Sequence, residues 1–195
     1  NEEHGLNSRK VRDIMSDDDT GVLFIGTTNG FNMIDLRTEE ITDLNYIFDE
    51  LNVTDRFSGA IFKDSEGIYW FGKFLSGGLV KINPKTNEIK NYKYDKDVNS
   101  ISNNSIHTIE EDSKGNIWIG TSGGLNKLNK ETESFTNYTT VDGLANNNIY
   151  GIVFDEKENL WLSTNLGISK FDVENNRFLN LNVTDGLQSN EFNGR

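Results

Sequence analysis

Apolar residues along this chain come in short alternating runs, and clusters of Asp, Asn, Ser, Thr or Gly interrupt them about every 8–12 residues. Alternation with a period of two gives a strand one apolar face, whereas a helix needs apolar positions three and four apart. The pattern around Trp118 predicts four strands, at about 105–111, 116–121, 124–129 and 134–139. Asp112 and Gly115 mark the first turn, because an Asp carboxylate caps backbone N–H groups and Gly supplies a positive φ. Gly123 and Gly124 mark the second turn, and Lys130, Glu131 and Thr132 the third. The same reading places strands near 10–16, 22–27, 30–35 and 40–46, then near 57–63, 68–73, 78–83 and 88–94, and finally near 148–154, 159–164, 167–172 and 177–182. Pro84 falls in a turn, where its missing N–H costs little.

These groups are copies of one unit. Asp112, Gly115, Trp118, Gly120 and Gly124 correspond to Asp64, Gly67, Trp70, Gly72 and Gly78 in the copy before. In the copy after they correspond to Asp155, Glu158, Trp161, Ser163 and Gly167, and the first copy has Phe24 where the others have Trp. The markers at 24, 70, 118 and 161 are 46, 48 and 43 residues apart, and Leu-Asn-Val-Thr-Asp recurs at 51–55 and 181–185. A period in the mid-forties with a fixed aromatic and glycine suggests one four-stranded sheet per repeat, as in a β-propeller blade. The expected fold is all-β: four four-stranded antiparallel repeats, a fragment of a larger propeller. Blades are expected at about 4–50, 51–97, 98–141 and 142–184, with 185–195 starting a further one. The large aromatic of each second strand is expected in the core between blades rather than on a sugar-stacking platform.

Composition narrows the function classes. With 31 acidic against 19 basic residues the net charge is -12, which argues against a nucleic-acid partner, since phosphate neutralisation supplies most of such affinity. Zero Cys removes disulfide scaffolds, thiolate metal sites and thiol nucleophiles. No run approaches the roughly 20 apolar residues that span a bilayer, so any membrane attachment is expected through regions outside this chain. The chain begins at Asn1 rather than Met, which fits an excised piece. At 34% hydrophobic but 11% aromatic, it reads as a folded β protein with large core residues and polar turns.

The repeats resemble those of the two-component regulator propeller family. The third matches the family pattern at Ile106, Ile109, Asp112, Gly115, Trp118, Ile119, Gly120, Thr121, Gly124 and Leu125. The fourth matches at Asp142, Gly143, Leu144, Ile149, Ile152, Asp155, Trp161, Thr164 and Gly167, departing at Glu158 and Ser163. The first has His4, Gly5 and Leu6 at its start, and the second replaces that start by Asp55, Arg56 and Phe57. The stretch from Asp185 through Gln188 to Asn193 resembles the opening of a last blade. The resemblance implies an extracytoplasmic sensor region of a membrane receptor carrying a histidine kinase, a hybrid kinase–regulator or a diguanylate cyclase, with seven-bladed rings of which four repeats are a part.

Chain reversal puts the second-to-third-strand turns and the blade-to-blade loops on one face. Their Asn, Ser, Gly and Arg content suits a saccharide or other small polar ligand, though such residues are also ordinary loop formers. The expected exposed contacts are Arg9, Arg56, Lys73, Phe74, Asn104, His107, Asn147 and Tyr150. Arg9, Asn104 and Asn147 share one repeat position, and Arg12, His107 and Tyr150 another on the inner strands. Asp17, Asp18 and Asp19 read as an acidic turn rather than a calcium loop, whose oxygen ligands alternate. No metal or cofactor is expected. Catalysis has little support: His4 and His107 are the only histidines, and no nucleophile-elbow or phosphate-loop motif is present. A propeller lyase or hydrolase acting on polysaccharide and a pure interaction or dimerisation module remain the alternatives. Uncovered end blades predict self-association, through the open blade faces as two four-blade arcs making one eight-blade ring or as an ectodomain dimer; the alternative is that the chain closes on itself as a four-blade propeller.

Overall fold

The structure, a computed structural model, describes residues 5–192; His4 and Asn193 of the motifs above lie outside them. Four antiparallel four-stranded sheets follow one another along the chain, each in simple meander order. Blade 1 comprises β1 (Val11–Asp17), β2 (Val22–Thr27), β3 (Gly30–Asp35) and β4 (Ile41–Asp43), followed by the helix α1 (Asn45–Glu50). Blade 2 comprises β5 (Ser58–Lys63), β6 (Tyr69–Lys73), β7 (Leu79–Asn83) and β8 (Glu88–Tyr92). Blade 3 comprises β9 (Ile106–Glu111), β10 (Ile117–Thr121), β11 (Gly124–Asn129) and β12 (Ser134–Tyr138). Blade 4 comprises β13 (Ile149–Phe154), β14 (Leu160–Thr164), β15 (Gly167–Asp172) and β16 (Arg177–Leu181). These strands lie within a residue or two of the sequence expectation, except that β4 stops at Asp43 and α1 takes over. Leu44, Ile47 and Phe48, three and four apart, are buried on one side of that helical turn.

The core lies in the seams between blades. Phe24, Phe71 and Val80 pack between blades 1 and 2, Trp70 and Ile106 between blades 2 and 3, and Trp118 and Ile149 between blades 3 and 4. Trp70 and Trp118 are 1% and 0% exposed, as a core role demands, but Trp161, expected in the core as well, is only half-buried, because no further blade covers its side of blade 4. Each indole N–H also donates to the Asp of its own blade's first turn: Trp70 to Asp64 at 3.0 Å, Trp118 to Asp112 at 2.9 Å and Trp161 to Asp155 at 3.2 Å. Burial of a large amphipathic ring is thereby combined with satisfaction of its one donor. The glycine two residues beyond the Trp marks close blade approach, since a Cβ on Gly120 would come within 2.8 Å of the Ile149 side chain.

Contacts run from β1 to β5, β5 to β9 and β9 to β13, so the inner strands form an arc. The arc is open. Val11 and Ile14 on the outer side of blade 1, and Val153 and Leu179 on the far side of blade 4, are all 45% exposed or more. Closure into a four-blade ring, the alternative expected above, is therefore not adopted.

Candidate functional site

Each inner strand carries a β-bulge at the same place. Strand pairing skips Arg12 between Val11 and Asp13, Gly59 between Ser58 and Ala60, His107 between Ile106 and Thr108, and Tyr150 between Ile149 and Gly151. A bulge residue leaves the ladder and its side chain is re-aimed. Here the repeat aims one side chain per blade along the arc. Blade 2 has Gly59 at the bulge, where a Cβ would stand 2.0 Å from the Ile106 carbonyl oxygen, so no side chain fits. Phe74, from the following turn, fills that station instead.

The result is a continuous row. The Arg12 guanidinium lies 4.4 Å from the Phe74 ring centre and 4.8 Å from that of Phe57. Phe74 and His107 are 4.9 Å apart, centre to centre, and His107 meets Tyr150 edge-on at 4.9 Å. Ser122 Oγ is 2.8 Å and Ser105 Oγ 3.3 Å from His107 Nε2, while Asn165 Nδ2 donates to the Tyr150 hydroxyl at 3.4 Å. Arg12, Phe57, Phe74 and Tyr150 are half-buried, and His107 is buried at 4% exposure. Such a row offers aromatic faces flanked by hydroxyl and amide groups, a surface able to take a ring that has both apolar and hydroxylated sides.

Of the eight residues expected as contacts, the structure brings Phe74, His107 and Tyr150 together in this row, joined by their repeat partner Arg12. His107 contradicts the expectation of exposure, because the Phe74 and Tyr150 rings both pack against it and it is buried. Lys73 contradicts it more strongly: it is 0% exposed, with its ammonium 3.8 Å from the Phe48 ring centre and 4.5 Å from that of Phe31. Strand alternation turns Lys73 into the seam beneath α1 rather than toward the row. Asn104 and Asn147 are loop framework: their Oδ1 atoms accept from Tyr94 N at 2.7 Å and Thr140 N at 2.8 Å, bracing the loop that leads into each blade. Asn190 repeats the bond on Val183 N at 3.0 Å. Arg56 pins its own loop to α1 through Asp49 and the Asn45 carbonyl. Arg9 is exposed on the first lead-in loop, away from these contacts.

The sequence reading missed Phe57, Ser105, Ser122 and Asn165. Phe57 was visible as a departure from the family start, and the other three sit at positions where loop polarity carries no distinguishing signal. It also missed Asp55, whose Oδ2 accepts from the N–H groups of Leu75, Ser76 and Gly77 at 3.0, 2.9 and 3.3 Å. This carboxylate holds the turn that presents Phe74.

At the opposite face Asp17 is buried, bonded by Lys63 Nζ at 2.6 Å and by the Tyr69 hydroxyl at 2.5 Å. Burial alone would raise its carboxyl pKa, but the Lys63 and Tyr69 bonds outweigh that and hold it well below the usual carboxylate range. Asp17 is thus a clasp between blades 1 and 2, and Asp19 supports it through Lys63 at 2.8 Å.

The family model for the two component regulator propeller matches residues 100–123 and 143–166, covering the third and fourth repeats from lead-in loop through second strand. A curated relative, Histidine kinase P4 of Formosa agariphila, is 32% identical over 132 residues, which is 63% of this chain and 10% of the relative. Among solved structures, the extracellular domain of an inferred hybrid two component system from B. thetaiotaomicron superposes with a TM-score of 0.79 at 19% identity, over 93% of this chain and 26% of that one. Virginiamycin B lyase from Staphylococcus aureus superposes with a TM-score of 0.65 at 21% identity, over 88% of this chain and 55% of that one. At these identities the structural likenesses bear on fold alone, and the chain spans about a tenth of the kinase and a quarter of the extracellular domain. The third and fourth repeats thus match the two component regulator propeller model, within a tandem of four blades of one architecture.

Proposed function

We propose that this chain is a non-enzymatic, ligand-sensing stretch of an extracytoplasmic propeller in a bacterial signal-transduction receptor, and that its ligand is a saccharide or similar small polar molecule held along the row Arg12–Phe74–His107–Tyr150. The observation that carries the reading is the bulge in every inner strand, which aims a different side chain at the same station of blades 1, 3 and 4, with Phe74 filling the station that Gly59 leaves empty in blade 2. A repeat that keeps its framework and varies the aimed residue builds a composite surface, and ligand contacts spanning several blades favour one arrangement of the receptor over another. The extracellular and kinase descriptions of the relatives support the receptor context.

Glycan-array screening followed by calorimetry tests the site. Tyr150→Ala and Phe74→Ala are each expected to weaken binding at least tenfold, a loss of about 1.4 kcal/mol or more, while the melting transition stays cooperative. Binding that both variants retain would move the ligand elsewhere. The His107–Ser122 contact is the one feature that favours a lyase or hydrolase reading. Glycan turnover that disappears in His107→Ala would establish that reading in place of the sensor.

A further inference from the structure

The face opposite the row is closed by ions at one blade seam and left open at the next. Between blades 2 and 3, Lys130 Nζ bonds Asp64, Glu66 and Glu111 at 3.2, 2.8 and 2.9 Å. Glu111 also accepts from Ser65 N at 2.7 Å, and Glu133 accepts from Lys90 and from the Tyr92 hydroxyl while lying 3.8 Å from Lys81. Acids and bases of the two blades therefore answer each other across that seam.

Strand register gives the equivalents between blades 3 and 4. Lys127 stands where Lys81 does, both opposite the blade's Trp, and Lys114 stands where Glu66 does, two residues past the turn Asp. Their partners on blade 4 have changed. Phe154 replaces Glu111, Val173 replaces Lys130 and Asn176 replaces Glu133. The last pair shares a left-handed backbone, with φ of 51° at Asn176 and 54° at Glu133. Only the Ser65 bond has been rebuilt: Ser113 N donates to Glu158 Oε2 at 3.1 Å, which gives a use to the Glu that departs from the family Gly.

What remains is a cleft of about 610 Å³ with Phe154 and Val173 on its wall and Lys114 and Lys127 at its rim. The volume falls in the range of small-molecule sites. Neither lysine has a carboxylate partner among the described residues; the Lys127 ammonium lies 5.3 Å from the Trp118 ring centre. Of the acids that line the cleft, Asp112 and Asp172 are engaged within their turns and Glu158 across the seam; Glu174, Lys157 and Lys170 line it as well. Asp112 accepts from Trp118 Nε1 and Asn116, Asp172 from Asn175 N at 3.0 Å and Nδ2 at 2.9 Å, and Glu158 from Ser113. Lys170, the fourth-blade counterpart of Lys127, is already paired with Asp155 at 3.3 Å.

We propose that this seam is a second binding site, for a small carboxylic acid with an apolar body, whose carboxylate takes the place that Glu133 holds one seam earlier. The carboxylate bonds Lys127 and is steered by Lys114, and the apolar body packs on Phe154 and Val173. It lies on the face away from the bulge row and does not depend on what binds there.

The test is two-dimensional NMR on the 195-residue chain titrated with phenylacetate, with benzyl alcohol as the uncharged control. Saturable shifts are expected at the amides of Ser113, Phe154 and Val173, weakening as salt is raised. Lys127→Met should weaken the apparent affinity roughly tenfold, as loss of a charge-assisted hydrogen bond does. Asn176→Glu rebuilds the internal carboxylate on a backbone that already carries Glu at the preceding blade, so it should block phenylacetate without lowering the melting temperature. Shifts that never saturate, an equal response to benzyl alcohol, shifts centred on the uncovered side of blade 4, or unchanged affinity in both variants would overturn the proposal.

Discussion

Lys73 stands where the other three blades have Thr27, Thr121 and Thr164. Each of those threonines closes its own turn, the hydroxyl donating to the Gly30, Gly124 or Gly167 carbonyl at 3.0, 2.9 and 2.9 Å. Lysine cannot make that bond, and its amine is instead enclosed by Phe31 and Phe48 with no hydrogen-bond partner. Burial pushes its pKa from 10.5 down to about 7, with Asp55 and Asp49 opposing the shift and Arg56 reinforcing it. Between those two values the unfolded chain carries a proton that the folded chain does not, so stability rises with pH across the window. Below about pH 7 the penalty is present in full. Lys73→Met is expected to stabilise the protein by roughly 1–3 kcal/mol near neutrality, since it removes an unsatisfied buried polar group. It should also flatten the pH dependence of urea midpoints between pH 7 and 10, and an unchanged slope would show that Lys73 is not its source. The sequence announced the exception, a Lys in a Thr column, but not its burial; that depended on Phe48, which α1 brings over it.

At the scale of elements, the blades differ in how they hold the turn that faces the row. Where Thr closes the turn locally in three blades, blade 2 uses the remote Asp55 to gather three backbone N–H groups. Asp55→Ala would strand those donors, with an expected loss of about 1–3 kcal/mol. It should also release Phe74 and weaken ligand binding at the row in parallel, whereas Asp55→Asn, which keeps one acceptor oxygen, should retain part of both. Strand positions were legible because period-two alternation and Asp–Gly turns are local signals. The helix α1 was not, because Leu44, Ile47 and Phe48 cover only one turn, too short to outweigh the strand expected from the other repeats. The bulges were not legible either, since an extra residue in one strand is defined only by what it faces in the next.

For the whole molecule, the open arc leaves apolar side chains uncovered at both ends, Ile14 at 57% and Val153 at 62% exposure. Faces of this kind pair with others in solution. We expect the chain to self-associate through them, and the double variant Ile14→Glu, Val153→Glu to return it to a monomer in sedimentation or small-angle scattering. A parent chain that is already monomeric over the micromolar range would refute this.

Blade number, strand boundaries and the core role of Trp70 and Trp118 were determined by the sequence, because repetition and alternation are written one residue after another. Tertiary structure alone decided that Asn104 and Asn147 brace loops, that Lys73 is sealed in a seam, that Phe74 stands in for a missing bulge side chain, and that one blade seam is closed by ions while the next is open. Those outcomes depend on residues from 7 to 66 positions apart meeting across blade boundaries, and no local pattern encodes which of two polar residues will find its partner there.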